Sequence, residues 1–152
     1  MWFSRKQVAK SPQGQTGGVP GQREASQSTT KRLGDAAESM ALAHLVKGGL
    51  KLVETNYRTP GRGGGEIDLI MRAPDGTLVF VEVRLRAGQS HGGAGASISA
   101  IKQQRIIFAA RHYLMRFRSL PPCRFDVVLV QGALAVPEGV RIEWLRGAFD
   151  AP

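Results

Sequence analysis

The sequence reads GEIDLIMRAPDGTLVFVEVRLR from Gly65 to Arg86, and this stretch decides the fold. It contains two runs rich in apolar and β-branched residues, 66–72 and 77–86, separated by the turn residues APDG at 73–76. Apolar runs interrupted by a Pro-Asp-Gly turn are typical of two antiparallel strands joined as a hairpin. The sequence therefore predicts a hairpin at the centre of the chain, with the other elements arranged around it.

Apolar spacing outside the hairpin predicts further helices and strands. The predicted helices cover residues 33–47 and 97–118, and the predicted strands cover residues 50–57, 124–131 and 140–145. The order α, β, β, β, α, β, β predicts an α/β fold with one mixed sheet and helices packed on it. We expect the second helix to act as a right-handed crossover, which makes the strand after it parallel to its neighbour.

Composition divides the 152 residues into a tail and one domain. Residues 1–31 are rich in Ser, Gln, Gly and Pro and carry basic side chains, which predicts a disordered basic tail. Residues 32–149 are predicted to form the single domain. The chain has 21 Lys and Arg against 12 Asp and Glu, a formal charge of +9. Such an excess suits a polyanionic partner, either nucleic acid or an anionic membrane surface.

Several classes of protein are excluded by what the sequence lacks. A single cysteine, Cys123, and three scattered histidines exclude a disulfide framework and a zinc finger. No apolar run approaches about 18 residues, and the N-terminus has no signal-peptide core, so we expect a cytoplasmic protein without membrane contact. The glycine-rich segment 61–65 lacks the Gly-Lys-Ser/Thr ending of a phosphate-binding P-loop.

Two acidic residues interrupt apolar strands of the predicted hairpin, Asp68 in the first strand and Glu82 in the second. A buried carboxylate costs several kcal/mol unless it is paired or binds a metal, so each needs a partner. Period-two alternation places Glu82 and Arg84 on one face of their strand. A neighbouring strand could bring Asp68 alongside them.

Three helical residues extend this set of candidates. Glu38 lies at the border of the apolar stripe of the first helix, a position that is typical of a solvated residue but also lets a side chain point to a sheet edge. Gln103 continues the apolar stripe of the second helix, where it is either hydrogen-bonded structurally or part of a polar site. Lys102 lies at the edge of that stripe.

Two interpretations of these residues stay open from their spacing. Oxygen-rich sites suit Mg²⁺ or Mn²⁺, which bind phosphates and activate water, and a cation such as Arg84 stabilises the charge that develops in phosphodiester hydrolysis. Alternatively, Asp68 or Glu82 forms an internal salt bridge with Arg84 that only holds the sheet together. The spacing favours neither interpretation over the other.

A series of motifs in a fixed order resembles the bacterial YraN-like uncharacterised protein family over residues 33–149. The motifs are GDAAE (34–38), NYR (56–58), GEIDLI (65–70), FVEVR (80–84), KQ (102–103) and RFDVV (124–128). That family is similar to the restriction-endonuclease-like PD-(D/E)XK nucleases, and more closely to archaeal Holliday-junction resolvases. The resemblance implies an αβββαβ core and a divalent-metal site in which Glu38, Asp68 and Glu82 match the acidic positions. DNA is the implied partner, with a homodimer as an option.

This chain departs from the nuclease pattern at Arg84, where the pattern has lysine. Arginine is always protonated and bulkier than lysine, so it stabilises charge but does not readily orient a water molecule. Either Arg84 substitutes electrostatically, or Lys102 reaches in from the helix, or hydrolysis is lost. Three functions follow: a metal-dependent endonuclease for branched or structured DNA, a nucleic-acid-binding module that no longer cuts, and a structural or interaction domain with salt-bridged acids.

Overall fold

The computed structural model describes residues 20–86, 98–134 and 136–152, without the side chains of residues 20–25 and 137. These residues form two helices, α1 (Pro20–Lys47) and α2 (Ala100–Leu114), and a short 3-10 helix, Pro137–Gly139. They also form five strands, β1 (Lys51–Arg58), β2 (Glu66–Arg72), β3 (Leu78–Arg86), β4 (Cys123–Gln131) and β5 (Arg141–Phe149). Neither helix in this part of the chain has the length and apolarity needed to cross a membrane.

The five strands form one mixed sheet in the order β1-β2-β3-β4-β5. β1, β2 and β3 are an antiparallel meander, β4 lies parallel to β3, and β5 lies antiparallel to β4. The turn between β2 and β3 has Gly76 at φ +92° and a 3.0 Å hydrogen bond from the Thr77 amide to Asp75 Oδ1. The predicted α/β fold, its central hairpin and its parallel crossover are therefore confirmed.

The sheet separates two apolar layers, one under each helix. Helix α1 covers the face whose buried side chains in the sheet are Leu69, Met71, Val79, Val81, Val128 and Val130. Helix α2 covers the opposite face, where the buried sheet residues include Ile70, Leu78, Phe80 and Phe125. Because side chains alternate along a strand, Glu82 and Arg84 belong to the face that carries Leu78 and Phe80, the face of α2.

The boundaries of the helices differ from the predicted ones. Helix α1 begins at Pro20, well before residue 33, so residues 20–31 of the predicted tail are helical, whereas residues 1–19 lie outside the described residues. Residues 26–33 are exposed and contribute nothing to the core, which is why no apolar periodicity marks them. Helix α2 covers Ala100–Leu114 and is shorter than the predicted 97–118. The predicted loop at 87–96 also lies outside the described residues.

Strand β1 carries two irregularities in its pairing with β2. The register shifts between Leu52 and Glu54, and Asn56 adopts a left-handed backbone conformation with φ +52°. Asparagine is among the few non-glycine residues that tolerate this region. Asn56 is consequently held in a conformation that a regular strand would not give it.

Asp126 on β4 is a buried acid whose hydrogen bonds are supplied by the protein itself. Its carboxylate is fully buried and accepts from Arg124 Nε at 3.1 Å, Trp144 Nε1 at 2.9 Å and the Gly147 amide at 3.0 Å. Arg124, two residues earlier on the same strand, forms an ion pair with this carboxylate. These bonds connect β4 to β5, and they give Asp126 a structural role.

Candidate active site

The carboxyl groups of Asp68 and Glu82 come together on the neighbouring strands β2 and β3. Leu69 and Val81 pair directly across the two antiparallel strands. Asp68 and Glu82 are their next neighbours along β2 and β3, on the same side of this pair. Asp68 Oδ2 accepts a 2.9 Å hydrogen bond from the Val83 amide, and protonated Glu82 donates a hydrogen bond to Asp68. Glu82 is only 6% exposed. The predicted juxtaposition of these two acids is thus present in the structure.

Burial and mutual repulsion make this carboxyl pair difficult to ionise fully. Burial, followed by the nearby Asp68 carboxylate, raises the pKa of Glu82 to about 8. Burial also raises the pKa of Asp68, and the hydrogen bond from the Val83 amide partly offsets this shift. Near neutral pH the pair therefore shares a proton, as like-charged carboxyl groups in one site do. A cation bound between them would remove this repulsion.

Lys102 forms an ion pair with the buried acid Glu82. Its Nζ lies 3.1 Å from Glu82 Oε1, and its side chain is about half exposed. Ser99 caps α2 and accepts a 3.2 Å hydrogen bond from the Lys102 amide, which fixes the first turn of the helix beside β3. Arg84 lines the same cavity of about 350 Å³ together with Glu82, Ser99 and Lys102. The structure therefore brings the Lys102 side chain from the helix to Glu82.

Glu38 faces the same region from α1 and is held by Asn56. Burial, followed by the charge of Asp68, raises the pKa of Glu38, and a hydrogen bond from the Asn56 side chain lowers it. Glu38 is therefore not the fully solvated residue that its helix position alone suggests. Asn56 was missed as a site residue, because a strand pattern does not reveal a left-handed residue. Its place in the motif NYR (56–58) is a signal in the sequence that points to it.

A divalent metal fits the carboxyl pair and not a three-residue cluster. Among the described residues, no group of three or more His, Cys, Asp or Glu side chains is arranged to hold a metal ion. The structure therefore does not bring Glu38 into one ligand set with Asp68 and Glu82. Mg²⁺ commonly binds proteins through one or two carboxylates and completes its shell with water and substrate phosphates. Asp68 and Glu82 match that donor set.

Gln103 lies away from the carboxyl pair. Its Nε2 donates a 3.0 Å hydrogen bond to the Ile98 carbonyl oxygen, and its side chain lines a different cavity, beside Ile107 and Phe108. Of the two interpretations of Gln103 from the sequence, this geometry corresponds to the structural hydrogen bond. The contact ties the segment before α2 to the helix.

Fold and site together define an α/β protein in which a mixed five-stranded sheet carries a pair of carboxyl groups, one of them buried, beside a lysine of helix α2. The chain belongs to Uncharacterised protein family UPF0102, whose family model matches residues 37–130. This stretch contains every candidate site residue, from Glu38 to Gln103. The predicted membership of an uncharacterised bacterial family is confirmed.

Relatives in this family match most or all of the chain. A UPF0102 protein of Polaromonas naphthalenivorans (strain CJ2) is 68% identical over 154 residues and covers 99% of each chain. A UPF0102 protein of Polaromonas sp. (strain JS666) is 67% identical over 153 residues, also with 99% of each chain covered. A relative from Methylibium petroleiphilum is 63% identical over 126 residues, which are 81% of this chain and 98% of the relative.

Proposed function

We propose that the protein is a cytoplasmic, metal-dependent DNA endonuclease that hydrolyses phosphodiester bonds in branched or otherwise structured DNA. The observation that carries the proposal is the Asp68–Glu82 carboxyl pair with Lys102 against it. Two carboxyl groups held together, one of them buried, cost folding free energy, and groups with such raised pKa values concentrate at functional sites. The formal charge of +9 supports a polyanionic substrate.

Each residue of the site has a role in this chemistry. Asp68 and Glu82 would hold Mg²⁺ or Mn²⁺, which supplies Lewis acidity and an activated water when bound. The Val83 amide fixes the Asp68 carboxylate by its hydrogen bond, so this ligand is oriented before substrate arrives. Lys102 carries its charge to the edge of the buried pair, where it can stabilise negative charge that develops on the phosphate.

The purely structural interpretation is less well supported by the contacts. Asp126 shows how this fold satisfies a structural acid, with three donors around one buried carboxylate. The Asp68–Glu82 pair instead places two acids against each other, and the half-exposed Lys102 contacts Glu82. A nucleic-acid-binding module without hydrolysis is the second candidate, because Arg84 stands where the nuclease pattern has lysine.

Cleavage of defined DNA substrates by the full chain tests the proposal. A four-way junction, a flap, a single strand and a duplex are each incubated with Mg²⁺, Mn²⁺ or EDTA. We expect metal-dependent cleavage that Asp68→Asn lowers on the order of a hundredfold or more, since a charge-stabilising group of an active site contributes about that much. Calorimetry should also show that Asp68→Asn no longer binds Mn²⁺, with the melting temperature retained.

Glu143→Gln is the matched control, since it removes one exposed acid from β5 at the opposite edge of the sheet. We expect wild-type cleavage and Mn²⁺ affinity for this variant. Binding of the junction by the wild type without cleavage under either metal would support the second candidate. Equal losses in Asp68→Asn and Glu143→Gln would exclude a specific site at the carboxyl pair.

A further inference from the structure

A second cavity lies beside the carboxyl pair, between α2 and the glycine-rich loop that joins β1 to β2 (residues 59–65, the β1–β2 loop). It has a volume of about 380 Å³. Besides the loop, its lining includes the basic residues Arg58, Lys102 and Arg105 and one acid, Glu66. The proposed hydrolysis uses only Lys102 of these residues. The cavity therefore has a basic character that the catalytic proposal does not explain.

The β1–β2 loop is closed at its ends by hydrogen bonds and contains two glycines in the left-handed conformation. Its two ends are closed by Thr59, whose amide donates to the Gly65 carbonyl oxygen at 3.1 Å and whose Oγ1 accepts from the Gly65 amide at 2.8 Å. Between these ends, Gly61 at φ +85° and Gly63 at φ +72° adopt left-handed conformations. Turns that place residues in this region direct successive backbone N–H groups into a concavity that suits an anion.

Arg105 supplies a positive charge that is not neutralised within the described part of the chain. Arg58 lies 3.4 Å from Glu66, and Lys102 lies 3.1 Å from Glu82. Arg105 is exposed and forms no ion pair or side-chain hydrogen bond with any described residue. A cation in a concave site without a protein partner favours an anionic ligand.

Helix α2 is held against the loop at very short range. A Cβ atom placed on Gly65 would lie 1.9 Å from the Arg105 carbonyl oxygen, so only glycine allows this approach. The contact fixes Arg105 beside the loop and Lys102 one turn earlier on the helix. Lys102 lines this cavity and also the one that contains Glu82. The two cavities are therefore adjacent, and the positively charged side chain of Lys102 lines both of them.

We propose that the cavity between the β1–β2 loop and Arg105 binds a phosphate group of the nucleic-acid backbone, adjacent on the same strand to the phosphate at Asp68 and Glu82. This assignment rests on the proposed function, which identifies the bound nucleic acid as DNA. The Arg105 guanidinium group suits a phosphate, and glycine-rich turns commonly accommodate one. None of the described lining residues is aromatic, so a base would find no stacking partner there. A backbone phosphodiester fits these features better than a free nucleotide.

Binding of a fluorescein-labelled DNA junction in EDTA, where metal-dependent cleavage is absent, tests this assignment. Arg105→Ala and Arg105→Gln should each weaken binding on the order of tenfold, since a charge-assisted hydrogen bond is lost. The slope of log affinity against log salt concentration should become shallower by about 0.9, the value for one phosphate contact. Arg141→Ala, which removes an exposed arginine from β5 at the opposite edge of the sheet, should leave affinity and slope near wild type.

The outcomes separate this assignment from the proposed hydrolysis. Equal affinity and slope for Arg105→Ala and wild type, in a protein that cleaves DNA, would overturn the phosphate site and leave the endonuclease intact. A selective loss of DNA binding in Arg105→Ala, in a protein that never cleaves, would support the site and reject hydrolysis. ATP that binds through Arg105 while DNA binding is insensitive to it would overturn the backbone assignment, as would the absence of any DNA binding.

Discussion

Lys102 brings its ammonium group to Glu82, although the sequence places Arg84 two residues from that acid on the same strand. Lysine presents a compact charge with rotatable donors, whereas arginine presents a fixed planar fork. We therefore expect Lys102 to supply the main positive charge in the proposed hydrolysis, with Arg84 in a supporting role.

Lys102→Ala should lower single-turnover cleavage of the preferred DNA substrate with Mn²⁺ on the order of a hundredfold or more, because it removes charge stabilisation at the phosphate. Arg84→Ala should lower it less, and Arg84→Lys should keep or raise the rate. Lys51→Ala, which removes an exposed lysine from β1, is the control and should cleave normally. A larger loss of cleavage for Arg84→Ala than for Lys102→Ala would mean that Arg84, and not Lys102, supplies the main charge stabilisation.

Some residues of the site are predictable from the sequence and others are not. Asp68 and Glu82 interrupt apolar strands, so burial and strand alternation together indicate that they meet. The contact of Lys102 with Glu82 depends on how α2 crosses the sheet, which residue spacing within a helix does not determine. Asn56 depends on a single backbone dihedral angle, and no periodic pattern carries that information.

Gly65 determines how closely α2 approaches the sheet, which is a property of elements and not of one side chain. Gly65→Ala should destabilise the protein by about 1–3 kcal/mol, the usual cost of overpacking, because the added Cβ meets the backbone oxygen of Arg105. Urea unfolding with an unchanged slope measures this difference. Gly34→Ala in α1 is the control: a Cβ there meets nothing within 4 Å, and alanine should stabilise the helix by up to about 1 kcal/mol.

Elements with a buried face are predictable, and those without one are not. Strands β2, β3 and β4 follow their apolar patterns closely, because one or both of their faces are buried, whereas β1 is mostly exposed. The first part of α1 has only exposed side chains over residues 26–33, so no apolar periodicity in the sequence indicates that it is helical.

A free energy of unfolding near the wild-type value for Gly65→Ala would contradict the close packing of α2 on this loop. It would mean that α2 can shift away from Gly65 without cost.

The whole molecule should lose stability as pH rises from about 4.5 to about 8. The pKa of Glu82 is raised from 4.5 to about 8 by burial and by Asp68, so the folded state binds more protons than the unfolded state in this window. The contribution of Glu82 to stability is therefore fully present below its pKa in the unfolded chain, 4.5. It is lost as the pH rises through its pKa in the folded protein, about 8. Glu82→Gln removes this titration and should flatten the pH profile.

Melting temperatures between pH 5 and pH 8.5 measure the effect, with Glu143→Gln as the control that keeps the wild-type profile. Mn²⁺ at pH 8 should recover stability in the wild type and not in Asp68→Asn, because a metal binds only the ionised pair. A wild-type profile that is flat over this range would contradict the burial and repulsion assigned to Glu82.

The irregular strand β1 also bears on solubility, since it forms one edge of an open sheet. A flat, regular edge strand offers its unpaired backbone groups to another chain and so invites edge-to-edge aggregation. The register shift between Leu52 and Glu54 and the left-handed Asn56 break the regular spacing that such a template needs. The same backbone distortion that carries Asn56 to Glu38 therefore also protects the open edge of the sheet against self-association.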